Sequence, residues 1–318
     1  MFLGSRPLFL FALAVTLAAA PAHARDGGAL QDFKLPGMTD YRGPHDRAAP
    51  HSEKDGEITL SAQLIDKGPD ITRGLVWRVF KPKPGPDGKL PMVASAHGGT
   101  SVFHLDPGSY LVHAAYGRAG ATKRITVTDH AKHESMVLDA GGLKLNAVLS
   151  GGVRIPPKKL RFSIYDSETD SHGEHALIIP NVQPDTVVRL NAGTYHVVST
   201  YGAVNAVIRS DIRVEAGKLT AATVEHRAAE ITLKLVRDSG GEAIADTSWS
   251  VLNQAGDPIK ESVGAFAPMV LAEGDYTAIA KNRDRIYQKD FTVVAGRNTE
   301  VEVIASEENA IDPEEGAD

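Results

Sequence analysis

A short pattern, Leu-x-x-Gly-x-Tyr, occurs three times in this chain and limits its fold more than any other feature. It stands as Leu105-Asp-Pro-Gly108-Ser-Tyr110, Leu190-Asn-Ala-Gly193-Thr-Tyr195 and Leu271-Ala-Glu-Gly274-Asp-Tyr276. The tyrosines lie 85 and then 81 residues apart. Recurrence at such a period marks one structural unit used repeatedly.

Each tyrosine opens an alternating segment: YLVHAAYG from Tyr110, YHVVSTYG from Tyr195 and YTAIAKN from Tyr276. Further alternating runs follow at Ile125–Val127, Ile212–Gly217 and Phe291–Gly296, and short strands (SMVL, AATVE, EVEVI) close each copy. Upstream, opening strands begin at Ile58, Leu143 and Ile231, and aromatic-centred strands surround Trp77, Phe162 and Trp249. The central aromatic precedes the motif tyrosine by 33, 33 and 27 residues. Period-2 alternation marks strands with one face on a core and one in water. Gly, Pro, Asn and Asp turns between them favour a sandwich over strand–helix–strand units. About 80 residues hold six or seven short strands. The sequence therefore predicts an all-β chain of three tandem Ig-like or transthyretin-like β-sandwich modules, at 58–140, 143–228 and 230–305. Gly141-Gly142 and Arg227–Glu230 read as the links between them.

The motif has a mechanical reading. Gly108, Gly193 and Gly274 permit a tight or positive-φ turn ahead of the strand. Tyr110, Tyr195 and Tyr276 can bury their rings while each hydroxyl bonds upstream backbone, as in a tyrosine corner. Trp77, Phe162 and Trp249 then become the central core aromatics. With these residues in place, the L-x-x-G-x-Y-x-V strand and the strands after it resemble carboxypeptidase-regulatory-like (transthyretin-like) modules. They are also similar to fibronectin type III and other Ig-like sandwiches. The resemblance covers Ile58–Ala305 and implies non-catalytic spacers or binders of protein or carbohydrate. The third copy departs from the pattern, with Lys281-Asn282 where the others have Tyr116-Gly117 and Tyr201-Gly202, and it lacks their longer loop. The whole chain also resembles exported proteins of proteobacteria, which brings no activity with it.

The ends agree with export. Arg6 precedes an apolar run, Leu8–Ala20, and Ala22-His23-Ala24 suits signal peptidase, so residues 1–24 read as a cleaved signal peptide. No other stretch is long and apolar enough for a transmembrane anchor. Cysteine is absent, which excludes disulfide staples, lipid attachment after the signal and every cysteine nucleophile. Residues 25–57 mix Gly, Pro, Asp and His without apolar periodicity and read as a flexible lead-in. Residues 306–318 hold six carboxylates and no base, and read as a solvated acidic tail. Loss of Arg6 with the signal leaves 33 Lys+Arg against 40 Asp+Glu. That acidic balance argues against a nucleic-acid partner.

A search for chemistry finds little. There is no G-x-S-x-G, S-x-x-K, H-E-x-x-H, P-loop or G-x-G-x-x-G pattern, and nothing implies a cofactor. Ligand-like side chains concentrate in Asp166-Ser-Glu168-Thr-Asp170-Ser-His172-Gly-Glu174-His175. His172 and His175, with Asp170 and Glu174, are candidate ligands for a divalent metal. The segment reads first as a solvated polar loop. His130 and His133, beside Glu134, read as exposed turn residues, and Lys81–Lys89 as a stiff Pro-Gly connection. The sequence thus points to a periplasmic or secreted, non-catalytic protein. Its modules would present loops to an envelope protein or a glycan on a stiff rod of sandwiches. The alternative is a metal-dependent periplasmic hydrolase using the His and carboxylate loops.

Overall fold

The computed structural model describes residues 56–311. The signal peptide and nearly all of the lead-in fall outside that range, as does the end of the acidic tail. Alternation of apolar and polar residues becomes strands almost everywhere, and among the described residues the helical content is two single 3-10 turns, Pro157–Lys159 and Glu307–Asn309. Among the described residues no helix is long and apolar enough to cross a membrane.

The first module comprises β1 (Gly56–Gln63), β2 (Leu75–Phe80), β3 (Met92–Gly98), β4 (Ser101–Leu105), β5 (Gly108–Tyr116), β6 (Ala119–Val127) and β7 (Lys132–Val137). The second comprises β8 (Ala140–Leu149), β9 (Val153–Arg154), β10 (Leu160–Thr169), β11 (His175–Val182), β12 (Val187–Asn191), β13 (Gly193–Tyr201), β14 (Val207–Val214) and β15 (Leu219–His226). The third comprises β16 (Ala228–Val236), β17 (Thr247–Leu252), β18 (Pro258–Val263), β19 (Phe266–Ala272), β20 (Gly274–Asn282), β21 (Arg285–Val293), β22 (Thr299–Ile304) and β23 (Ala310–Ile311).

One plan serves all three. A smaller sheet (β4-β1-β7, β12-β8-β15 with β9 also paired to β8, and β19-β16-β22) faces a sheet of four or five strands (β3-β2-β5-β6, β11-β10-β13-β14, β18-β17-β20-β21-β23). Neighbours are antiparallel except the opening strand of each module and the strand that closes its smaller sheet, which run parallel: β1 with β7, β8 with β15 and β16 with β22. Each sandwich encloses its own apolar cluster. Trp77, Phe162 and Trp249 lie at 0%, 0% and 2% exposure among Ile58, Leu60 and Val112, Leu143, Leu145 and Val197, and Leu233, Leu235 and Val251 respectively. The two tryptophans use their one polar atom inside the fold. Trp77 Nε1 donates to the Gly99 carbonyl at 2.8 Å and Trp249 Nε1 to that of Gly264 at 2.9 Å. Phe162 has no such donor. Its strand meets β11 through several register shifts, whereas β2–β3 and β17–β18 show a single one.

The motif tyrosines share one geometry. Tyr110 Oη donates to Asp106 O, Tyr195 Oη to Asn191 O and Tyr276 Oη to Ala272 O, each at 2.9 Å and each four residues upstream. One such bond contributes about 1 kcal/mol and pins the turn that precedes the strand. Gly274 there takes φ +152°, but Gly108 does not enter the positive-φ region, so the motif glycine is not uniformly a conformational requirement.

Two expectations need correction. Gly141-Gly142 is not a link but part of β8; a Cβ on Gly141 would collide with the carbonyl oxygen of Glu215. The links are shorter, Leu138-Asp139 and Arg227 alone. Counted from the motif tyrosine, the third copy keeps step with the other two, and the strand register agrees. Trp77 pairs with Ala114 and Leu75 with Tyr116, while Trp249 pairs with Ala280 and Thr247 with Asn282. Asn282-Arg283, not Lys281-Asn282, therefore occupies the place of Tyr116-Gly117 and Tyr201-Gly202. Gly117, Gly202 and Arg283 all hold positive φ, at +66°, +73° and +55°.

That alignment explains the two glycines. A Cβ on Gly117 would lie 3.0 Å from Arg189 Cβ of module 2, and one on Gly202 would lie 2.6 Å from Val270 Cβ of module 3. Each is the point where the following module presses on the preceding one. Gly151 has similar backbone, φ +82°, and open space around it. We expect Gly151→Ala to cost about 1 kcal/mol from backbone strain alone. Gly202→Ala adds the collision, roughly 1–3 kcal/mol more. Urea unfolding of the two variants reads the difference, and equal losses would show that the contact with Val270 carries no weight.

Candidate functional site

In the second module the β10–β11 hairpin carries the residues singled out as metal candidates. Asp170 closes its turn. Its Oδ1 accepts the backbone N–H of His172 at 2.8 Å and of Glu174 at 2.9 Å, and its own N–H donates to Glu174 O at 2.9 Å. The Glu174 and His172 amides hold the Asp170 carboxyl below its usual range. The carboxylate is thus engaged in shaping the loop, and His172 and Glu174 remain exposed beside it.

His175 turns away from that loop. Its Nδ1–H donates to Asp166 O at 2.8 Å, and its ring stacks on His196 with centroids 4.2 Å apart and planes 5° from parallel. His196 Nδ1 in turn meets Asp211 Oδ1 at 2.8 Å, and Tyr165 lies edge-on to His196 at 6.4 Å. Cross-strand register creates this row, since Tyr165 pairs with His196 and His196 with Asp211 on the outer face of the sheet. Imidazole lone pairs lie in the ring plane, so stacked rings do not aim them at one point, and both Nδ1 atoms already have partners. Among the described residues no group of three or more His, Asp or Glu is arranged to hold a metal ion. The sequence search missed His196 and Asp211. The available signal was the alternation of β13, which turns His196 outward beside the inward Val197.

Two Ser–His pairs invite comparison with a nucleophile and its base. Ser199 Oγ lies 2.8 Å from His226 Nε2, but both residues are 1% exposed, where no substrate reaches them. Burial pushes the His226 imidazole down to about 4. Tyr201 packs edge-on against it at 6.0 Å. Ser61 Oγ lies 2.9 Å from His133 Nε2, with the serine 1% exposed. Neighbouring His130 pairs with Asp129 at 2.8 Å, and Glu134 takes Lys123 and Lys132 at 2.7 Å each. A hydrolytic site needs an exposed nucleophile, a base and a group orienting it, and neither pair meets that description.

Concavities on the surface of the described residues include one in module 3 and one at the first junction. A cleft of about 490 Å³ in module 3 is floored by Tyr276 and Phe291, stacked at 5.8 Å. Its carboxylates, Asp275 and Asp290, are already bonded to Thr292 and Thr277 at 2.7 Å each. A smaller one, about 280 Å³, lies where Leu64, Ile65 and Tyr116 of module 1 meet Gly217 of module 2. The Arg189 guanidinium covers the Tyr116 ring at 4.4 Å. The outer strand of each smaller sheet also carries an exposed apolar side chain, although on β12 the Arg189 carbonyl already accepts the Arg118 N–H of module 1 at 3.0 Å. Val102 on β4, Val187 on β12 and Phe266 on β19 are 53%, 42% and 55% exposed.

Residues 230–305 match the Rhizobiales growth-associated tandem repeat domain. No curated protein sequence matches the chain. Solved structures with partial likeness include the Bacillus anthracis TIE protein, 18% identical over 80% of this chain and 51% of that one, with a TM-score of 0.24. The match thus spans about half of that protein's length. The minor pilin of Streptococcus agalactiae is 16% identical over 54% of this chain and 95% of its own, with a TM-score of 0.32. A streptococcal ancillary pilin is 13% identical over 80% and 99%, with a TM-score of 0.30.

The buried histidine yields a pH prediction. Free imidazole titrates near 6.5, and His226 stays neutral in the fold down to about 4. Between those values the unfolded chain binds more protons than the native one, so stability falls as pH is lowered through that window. Full development of the shift is worth on the order of 3 kcal/mol. Burial, and then the charge of Arg78, lower His113 in the same direction. Denaturant titrations from neutral pH to pH 4 should therefore show a slope that His226→Gln reduces without abolishing. An unchanged slope in that variant would remove His226 from the explanation.

Proposed function

We propose that the chain is an exported, non-catalytic protein whose sandwich modules bind a protein of the cell envelope. The observation that carries this reading is an exposed apolar residue on the outer strand of each smaller sheet: Val102 and Val187, three residues before the motif leucine, and Phe266, five before it. Away from the module junctions an edge strand offers backbone N–H and C=O groups to an extended segment of a partner, and side chains along it supply the apolar contact. The carboxypeptidase-regulatory-like resemblance belongs to the same reading, because such modules are typically spacers or binders. Export rests on the signal-like residues 1–24.

A protein partner fits better than a glycan. Sugar faces stack on exposed aromatic rings, and Phe266 is the only exposed aromatic among the described residues. The remaining large exposed apolar side chains are Val, Leu and Ile, including Val263 at 77% and Leu177 at 53%.

The test is capture from envelope extract by residues 25–318, against the same chain carrying V102S, V187S and F266S, with elemental analysis of both. A protein retained by the native chain and lost with the substituted one supports the reading. Capture indifferent to the three substitutions overturns the edge-strand mode. Stoichiometric zinc or calcium without a partner overturns the proposal and directs attention to His172 and His175.

A further inference from the structure

At one end of every sandwich the long hairpin turns: β5–β6, β13–β14 and β20–β21. In the first two modules the next module sits there. Gly120, on the outer edge of β6, has both backbone groups bonded by the side-chain amide of Asn191 from module 2, at 3.2 Å each. Strand register makes Ile286 the counterpart of Gly120, since Ala115 pairs with Gly120 and Lys281 with Ile286. At Ile286 the covering group is main chain from the same molecule. The 3-10 turn Glu307–Asn309 brings the chain back from β22, and β23 pairs antiparallel with β21, Ala310 opposite Tyr287 and Ile311 opposite Ile286. Arg285 donates to Glu307 at 2.9 Å beside it. Residues 306–311 are therefore part of the fold, although the sequence assigns them to a solvated tail.

The register of β23 sets a direction. The strand runs antiparallel to β21, and Ile311, opposite Ile286, stands one residue short of Arg285 and the hairpin turn. That turn exposes Lys281, Arg283 and Arg285; Glu307 already holds Arg285, and Asp284 and, across the strand end, Asp246 are the further opposing carboxylates. The seven remaining residues, Asp312–Asp318, hold four carboxylates and no base.

We propose that the 281–285 end of module 3 is a docking site for the acidic segment 312–318 of this same chain. That segment then covers the end which, in modules 1 and 2, receives a following module. Proximity favours this occupant over a second copy. The segment starts one residue from the site, so closing the contact costs little loop entropy and its effective concentration is high. The attraction is between exposed charges and weakens with salt.

Hydrogen exchange of the full chain, followed at the amides of residues 281–287, tests this. In the native chain we expect slow exchange at low salt and several-fold faster exchange at high salt. The tail-reversed chain (D312K, E314K, E315K, D318K) should exchange fast at both. Adding K281E and R283E to it should restore protection. Intrinsic fluorescence of buried Trp77 and Trp249 reports whether each variant is folded. Exchange in the folded tail-reversed chain equal to that of the native one overturns the proposal. So does protection that grows with protein concentration, which would assign the segment to a second copy.

Discussion

The opening strand of every module and the strand that closes its smaller sheet are hydrogen-bonded side by side and run in the same direction. A chain that enters such a sandwich at one end must leave it at the other. The next opening strand can then begin almost where the closing strand stops, and only Leu138-Asp139 or Arg227 intervenes. An antiparallel closing pair would return the chain to its entry point and demand a long connection. The parallel pair makes short links possible, and short links bring each module against the next.

The junctions reuse positions whose first duty lies inside a module. The residue preceding the motif leucine, Arg189 or Val270, is the one that meets the glycine of the module before it. The amide two residues after that leucine grips the link: Ala192 N–H donates to Asp139 O at 2.7 Å, and Glu273 N–H to Arg227 O at 2.9 Å. Gly217 and Gly296 donate to Ala140 O and Ala228 O at 2.8 and 2.9 Å. The cores also cross the boundary, since Val270 and Ala228 join the apolar cluster of module 2 and Val204 packs on that of module 3. At the second junction Asn205 Nδ2 donates to Tyr276 Oη at 2.8 Å while its Oδ1 accepts from Ala272 N–H at 3.0 Å, tying the tyrosine turn to the neighbour. In module 1 the gripping position is Pro107, which has no N–H to give.

What the sequence made legible was whatever is local and periodic. Alternation around Trp77, Phe162 and Trp249 marks core strands because burial on one face leaves a period of two. The motif tyrosines are readable because a corner bond spans only four residues. What escaped depends on pairing between distant segments. Gly141-Gly142 looks like a flexible link until Glu215 is seen pressing on it. The correspondence of Asn282-Arg283 with Tyr116-Gly117 and Tyr201-Gly202, by contrast, is readable directly, six and seven residues after each motif tyrosine. His196 and Asp211 are unremarkable fifteen residues apart and become neighbours only through the β13–β14 register. The acidic composition after Ala305 similarly hides the short strand at Ala310–Ile311, whose partner Ile286–Tyr287 belongs to a distant hairpin.

The parallel pairing also decides how such a chain answers force. Tension applied to its two ends drags the opening strand of a module one way and the closing strand the other, both along their own axes. Gly142–Leu149 and Leu219–His226 lie alongside each other over their whole length, so their hydrogen bonds are loaded together in shear. Peeling them apart one at a time would need a far smaller pull. The arrangement that lets modules follow one another so closely therefore also makes each of them a mechanical clamp in series with the next.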